Sequence, residues 1–217
     1  MFNCEDRNLW DNVKLGGIFV FMGGYTGVLT SVILGHFVNC MTGTVTETGV
    51  SIGELHLHEA LVFFLVVSCF IFGAYTSAKI IDNQKRGHIK ILIYEAVALI
   101  FVSILSGHHE EIALILAGLA MGIQNGMTTY TTWTRGKVRT THVTGTSTDI
   151  GVSLATGDYR ETGFTTFQAF TYLGGAVFGF YVARDFGAMA FFMNAVVLLL
   201  IALLDTAKNS LEQKAII

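Results

Sequence analysis

The stretch Thr42–Gly53 (TGTVTETGVSIG) returns about a hundred positions later as Thr144–Ala155 (TGTSTDIGVSLA). The copies agree at most positions, and a carboxylate, Glu47 or Asp149, stands at the same place in each. Both are polar and rich in Thr and Gly, inside a chain that otherwise reads as lipid-buried helix. Polar segments are costly in lipid, so a duplicated one marks a candidate working site.

The surroundings of the inserts decide the class. Of 217 residues, 52% are hydrophobic and 13% charged, against about 25% charged in an average soluble domain. Mean hydropathy is +0.58. Too few charges remain to cover a water-facing surface, so a soluble domain is excluded. A helix needs about 20 mainly apolar residues to cross a bilayer. Six stretches are candidates: 14–36, 59–80, 89–106, 111–133, 162–183 and 186–206. The short polar–apolar alternation of a membrane barrel is missing. The first stretch follows an acidic segment (Glu5, Asp6, Asp11) without a cleavage-site pattern and reads as a retained span. The expected fold is all-α and polytopic, a single transmembrane domain over 1–217.

Basic residues set the orientation. With the N-terminus in the cytoplasm, Arg7, Lys14, Lys79, Lys85, Arg86, Lys90, Arg135, Lys137, Arg139, Arg160, Lys208 and Lys214 lie inside and only Arg184 outside. If each insert crossed fully, making eight spans, most basic residues would move outside. The inserts are therefore read as non-crossing, with both termini cytoplasmic and the protein in the cytoplasmic membrane. Cys4, Cys40 and Cys69 fall at different depths and form no CxxC, so no disulfide framework is expected. No basic patch with interleaved aromatics points to nucleic acid.

The repeat extends beyond the inserts. Met22-Gly-Gly-Tyr-Thr-Gly27 echoes Met121-Gly-Ile-Gln-Asn-Gly126, Phe72-Gly-Ala-Tyr75 echoes Phe178-Gly-Phe-Tyr181, and Glu95-Ala-Val-Ala-Leu echoes Asn194-Ala-Val-Val-Leu. The matches keep their order. Three spans per copy is an odd number, so the second copy (about 111–206) enters the membrane inverted relative to the first (about 13–106). Inverted repeats place their site near the midplane between the copies. The inserts then read as broken or re-entrant segments dipping in from opposite faces. The chain has no Pro and 24 Gly, so breaks would fall at Gly and Thr, although Gly175-xxx-Gly179 also fits close helix packing.

Met41-Thr-Gly-Thr44, Gly122-Ile-Gln-Asn125 and the run Val138-Arg-Thr-Thr-His-Val-Thr-Gly-Thr-Ser-Thr-Asp149 resemble the YoaK-like family of small, uncharacterised bacterial membrane proteins. The resemblance covers nearly the whole chain. Members often carry Asn where this chain has Thr44. The resemblance implies a topology and no activity.

Glu47 and Asp149, with the hydroxyls of Thr42, Thr44, Thr46, Thr144, Thr146 and Thr148, would make a hard-oxygen site for protons or alkali cations. The alternative is that the inserts lie shallow and the acids cap short helices. Gln124 and Asn125 would line the same cavity or hydrogen-bond neighbouring helices. Glu95, an ionisable residue inside a span, is a candidate proton relay or a packing contact. Arg139 could pair with Asp149 or snorkel, and His142 could gate by protonation. His56, His58, His108 and His109 with Glu54, Glu59, Glu110 and Glu111 would form a solvated acidic rim or a metal site. No ligand spacing is diagnostic, and no resident metal or cofactor is expected.

No nucleophile elbow, P-loop or zinc-protease motif occurs, so an enzyme is not expected. The expected function is a small secondary transporter or proton/cation-coupled permease of a small solute or ion, as a homodimer. A passive channel built from paired half-membrane inserts is the first alternative, and a structural or assembly subunit the second. Single cysteines placed in Thr42–Gly53 and in Thr144–Ala155 of a cysteine-free variant should label with impermeant maleimide from opposite faces. Labelling of both from one face would overturn the inverted arrangement.

Overall fold

The computed structural model is all-helical among its described residues. The backbone is described over 9–84, 86–132, 140 and 143–215, and side chains over 16–84, 86–131, 140 and 143–207. Eight helices follow in order: α1 (Leu9–Leu34), α2 (Met41–Gly53), α3 (Leu57–Asn83), α4 (Gly87–Leu105), α5 (Glu110–Thr132), α6 (Val143–Thr156), α7 (Tyr159–Phe186) and α8 (Met189–Ala215).

Without Pro, several of these helices stop at residues in the left-handed region. Gly35 (φ 75°), Gly157 (φ 74°) and Gly187 (φ 54°) follow α1, α6 and α7, where glycine escapes the Cβ penalty. The turns after α2 and α6 match in detail. The His56 N–H donates to the Ser51 carbonyl at 2.8 Å, and the Asp158 N–H donates to the Ser153 carbonyl at 2.9 Å. In the first turn, however, the left-handed residue is Leu55 (φ 61°), where the second has Gly157.

Two corrections to the sequence reading concern the inserts and the spans. The inserts are not broken: α2 and α6 are continuous helices of 13 and 14 residues, about 20 Å long. Among the described residues, five helical stretches are long and apolar enough to cross a membrane: 16–34, 57–83, 87–105, 110–131 and 189–207. The expected sixth span lies on α7. Its 28 residues suffice in length, but Thr162, Thr165, Thr166, Gln168 and Thr171 leave it too polar.

Packing is organised by two helix pairs. α5 lies along α3, with Gly118 against Val66, Gly122 against Phe70 and Gly126 against Ala74, so the two run in the same direction. α7 lies along α1 in the same way, with Gly175 against Phe21 and Gly179 against Tyr25. The end of α1 (Leu34, with His36) lies beside Glu59 and Phe63 near the start of α3 and Glu110 near the start of α5, so the two pairs point in opposite directions. α4 packs on α5 and α8. Its antiparallel seam with α8 is pinned by Ser103 Oγ donating to the Ala188 carbonyl at 2.8 Å and by His88 Nε2 to Asp205 Oδ2 at 2.6 Å. α2 packs on α3, and α6 on α7.

The distribution of polarity is that of a membrane protein. Phe64, Phe72, Phe170, Leu203 and Leu204 are exposed, while Thr26, Thr30, Glu95 and Gln124 are fully buried. An apolar exterior of this extent is unfavourable in water and neutral in lipid.

Gly122 leaves no room for a Cβ against the Phe70 carbonyl. Gly122→Ala is therefore expected to lower unfolding stability in detergent by about 1–3 kcal/mol, through backbone displacement. Leu55→Gly should raise it by about 1–2 kcal/mol, the usual cost of a left-handed L-residue. Denaturant titration in mild micelles measures both.

Candidate functional site

α1 ends at Leu34, yet the chain that follows turns back along it. Asn39 lies against Gly27, where a Cβ would collide with its side-chain amide. Gly27 is seven residues before the end of α1, so the loop returns about 10 Å along the helix. Val38 and Asn39 are buried there, at 1% and 3% exposure, and the Asn39 amide donates to the Tyr172 hydroxyl on α7.

Thr140, which precedes α6, makes the corresponding contact from the other side. Thr140, fully buried, sets its carbonyl against Gly23 of α1. Its hydroxyl donates to Asn125 Oδ1 at 3.4 Å, seven residues before the end of α5. Gly23 and Gly27 are four apart and share one face of α1. Thr140 and Asn39 therefore come to rest one helical turn from each other, near the middle of the Gly16–Leu34 stretch.

The buried polar groups of the bundle fall into two kinds. One kind is satisfied: Asn194 Nδ2 donates to Thr26 Oγ1 at 2.6 Å, Thr26 Oγ1 donates to the Met22 carbonyl at 2.9 Å, and Tyr25 Oη donates to the Ala190 carbonyl at 3.0 Å. The other kind has no partner. Both carboxyl oxygens of Glu95 and both amide atoms of Gln124 are buried without a hydrogen bond. These two lie on the α4–α5 hairpin, and counting from its turn places them about one helical turn apart in depth. An orphaned buried polar group costs about 1–3 kcal/mol, more if charged, so this pair is expensive unless it serves a purpose.

The remaining expected site residues fall elsewhere. Glu47 is exposed on α2, its Oε2 3.8 Å from His36 Nδ1, with both side chains open, a geometry worth little. Asp149 is exposed on α6 and lines a groove against α7. α2 packs on α3 and α6 on α7, so these helices do not bring the two acids together. Thr42, Thr46, Thr144 and Thr148 are exposed, whereas Thr44 and Thr146 are buried. The Thr44, Thr46 and Thr148 hydroxyls donate to carbonyls four residues back in their own turns, at 3.3, 2.9 and 3.0 Å. Continuous helices also leave no unwound carbonyls for a cation. Arg139 and His142 lie outside the described residues. His56 sits 3.5 Å from Glu54 and 3.6 Å from Glu59, and His58 3.5 Å from Glu111, all at the exposed rim.

Of the expected residues, Asn125 thus meets Thr140, and Gln124 precedes it on α5, buried and without a hydrogen bond. Sequence reasoning missed Asn39 and Tyr172: neither belongs to a repeated motif, and their partnership spans 133 positions.

Comparison with known proteins agrees with the resemblance read from the insert motifs. No curated protein and no solved structure matches the chain. A family model described as "Protein of unknown function (DUF1275)" matches residues 15–204. Since that match covers most of its length, the chain belongs to this family of proteins of unknown function, DUF1275.

Proposed function

We propose that this chain is a small secondary permease of the cytoplasmic membrane, with its site at mid-bundle and a proton as the coupling ion. In this reading the chain is two inverted copies, α1–α4 and α5–α8, with both termini cytoplasmic. α7 is the sixth crossing helix, and the loops before α2 and α6 are the re-entrant elements. The opposed directions of the α1·α7 and α3·α5 pairs support it, as do the matching turns after α2 and α6. One observation carries the proposal. Asn39, which precedes α2, and Thr140, which precedes α6, meet on the Gly23/Gly27 face of α1, within a bundle holding the unpartnered Glu95 and Gln124.

The chemistry follows from those orphans. A carboxylate held in the bilayer without a partner costs about 2.5–3.5 kcal/mol or more, so Glu95 at this depth calls for a proton or a cation. Releasing the proton requires water or a substrate cation to reach Glu95. That in turn requires one helix pair to move against the other, which is alternating access with a proton as the exchanged ion. The uncovered stripes Thr42, Thr46, Gly49, Gly53 on α2 and Thr144, Thr148, Gly151, Ala155 on α6 fit the small-residue contacts of a homodimer.

Proteoliposomes carrying an internal pH dye test the reading with a panel of alkali and organic cations. At least one cation should drive proton movement against its own gradient. Glu95→Gln, which mimics the neutral acid, should cut that coupled flux at least tenfold while keeping the fold. Coupled flux unchanged in Glu95→Gln, or no flux above empty vesicles, would overturn the proposal. Uncoupled flux would indicate a channel.

A further inference from the structure

Away from the mid-bundle, a groove of about 410 Å³ runs between α6 and α7. It starts at the turn joining them, the end of the bundle at which α1 begins. Three carboxylates line it: Asp149 from α6, with Asp158 and Glu161 from the start of α7. Among the described residues no Lys or Arg forms an ion pair with any of the three. Asp158 uses Oδ1 to accept the Glu161 N–H at 3.0 Å, capping α7. Asp149 and Glu161 make no such commitment.

The walls are fixed by hydrogen bonds. Ser153 Oγ and Thr162 Oγ1 share one at 2.8 Å, tying α6 to α7, and Thr165 Oγ1 donates to the Glu161 carbonyl at 2.8 Å. At the far end the groove is lined by Gln168, 4% exposed, whose Nε2 has no hydrogen-bond partner. The neighbouring Phe167 rests on Gly17 of α1, so the groove stops about 9 Å short of Gly23 along that helix.

We infer that this groove binds a small organic cation, its ammonium held by Asp149 and Glu161 and an acceptor atom taken by the Gln168 amide. Three features select that class. The carboxylates, without a paired base, call for a positive ligand. The orphaned amide at the deep end calls for an acceptor that a bare metal ion lacks. The volume lies within the ~300–1,000 Å³ of small-molecule sites, far larger than the shell of six to eight oxygens around one hard cation. The equivalent acid of the first copy, Glu47, faces His36 instead, so the copies are specialised differently. Binding stands on the groove alone; its use as a vestibule to the mid-bundle rests on the permease reading.

Binding of 1,4-diaminobutane to the purified full chain tests this, with uncharged 1,4-butanediol and sodium chloride of equal ionic strength as controls. Saturable thermal stabilisation by the diamine alone is expected. Asp149→Asn and Glu161→Gln, both exposed and tolerant positions, should each weaken it at least tenfold. Gln168→Leu should weaken it too, and Glu47→Gln should leave it unchanged. Equal stabilisation by the diol or the salt, or affinity surviving the Asp149→Asn/Glu161→Gln double variant, would overturn the inference. Uptake of labelled diamine into proteoliposomes separates the two proposals. Binding without uptake would sink the permease reading for this ligand class and leave the groove, whereas uptake unchanged in the double variant would sink the groove and leave the permease.

Discussion

Helices in lipid gain nothing from the hydrophobic effect by meeting each other, so close backbone approach must hold them. That constraint falls most heavily on α1. Gly24 admits the Tyr172 backbone of α7, while Gly23 and Gly27 admit Thr140 and Asn39 from the two loops. Three positions within five residues thus seat a neighbouring helix and both returning segments. A Cβ at any of them would push out the group that defines the centre of the bundle. Gly118, Gly122 and Gly126 of α5 admit the Val66, Phe70 and Ala74 backbone of α3 at similarly close range.

A second feature is a set of polar groups buried beneath an exterior rich in exposed Phe and Leu. Thr26, Asn194, Tyr25, Asn39 and Asn125 are each satisfied by a named partner, which turns a desolvation cost into positional specificity. Glu95 and Gln124 break that pattern. The contrast with that satisfied network gives these orphans their meaning. A fold able to satisfy so many polar groups at this depth has not failed here for lack of donors and acceptors.

The Thr-rich inserts show how polarity in sequence and polarity in space can part. Their Thr hydroxyls largely bond back to carbonyls of their own helices, a local solution that hides the hydroxyl and lets the helix continue. The mid-bundle contacts are made instead by Asn39 and Thr140, buried residues that precede α2 and α6. Asp149 gains a role only because α7 brings Glu161 and Gln168 to face it across a groove. No spacing within α6 announces that.

Composition and periodicity alone determined that the chain is helical, apolar and built for lipid, since these depend only on how many charges and how many uninterrupted apolar residues it carries. The ordered echoes were legible as well, because they lie in residue order alone. Glu95, Gln124 and Asn125 were legible as polar residues inside apolar stretches. What only tertiary structure decided is which polar groups meet. Asn39 finds Gly27 and Tyr172, Thr140 finds Gly23 and Asn125, and Glu47 and Asp149 stay apart. Those pairings depend on helix register and on the angle at which each loop returns, quantities set by side-chain volume at distant glycines and so unreadable from either partner's own neighbourhood.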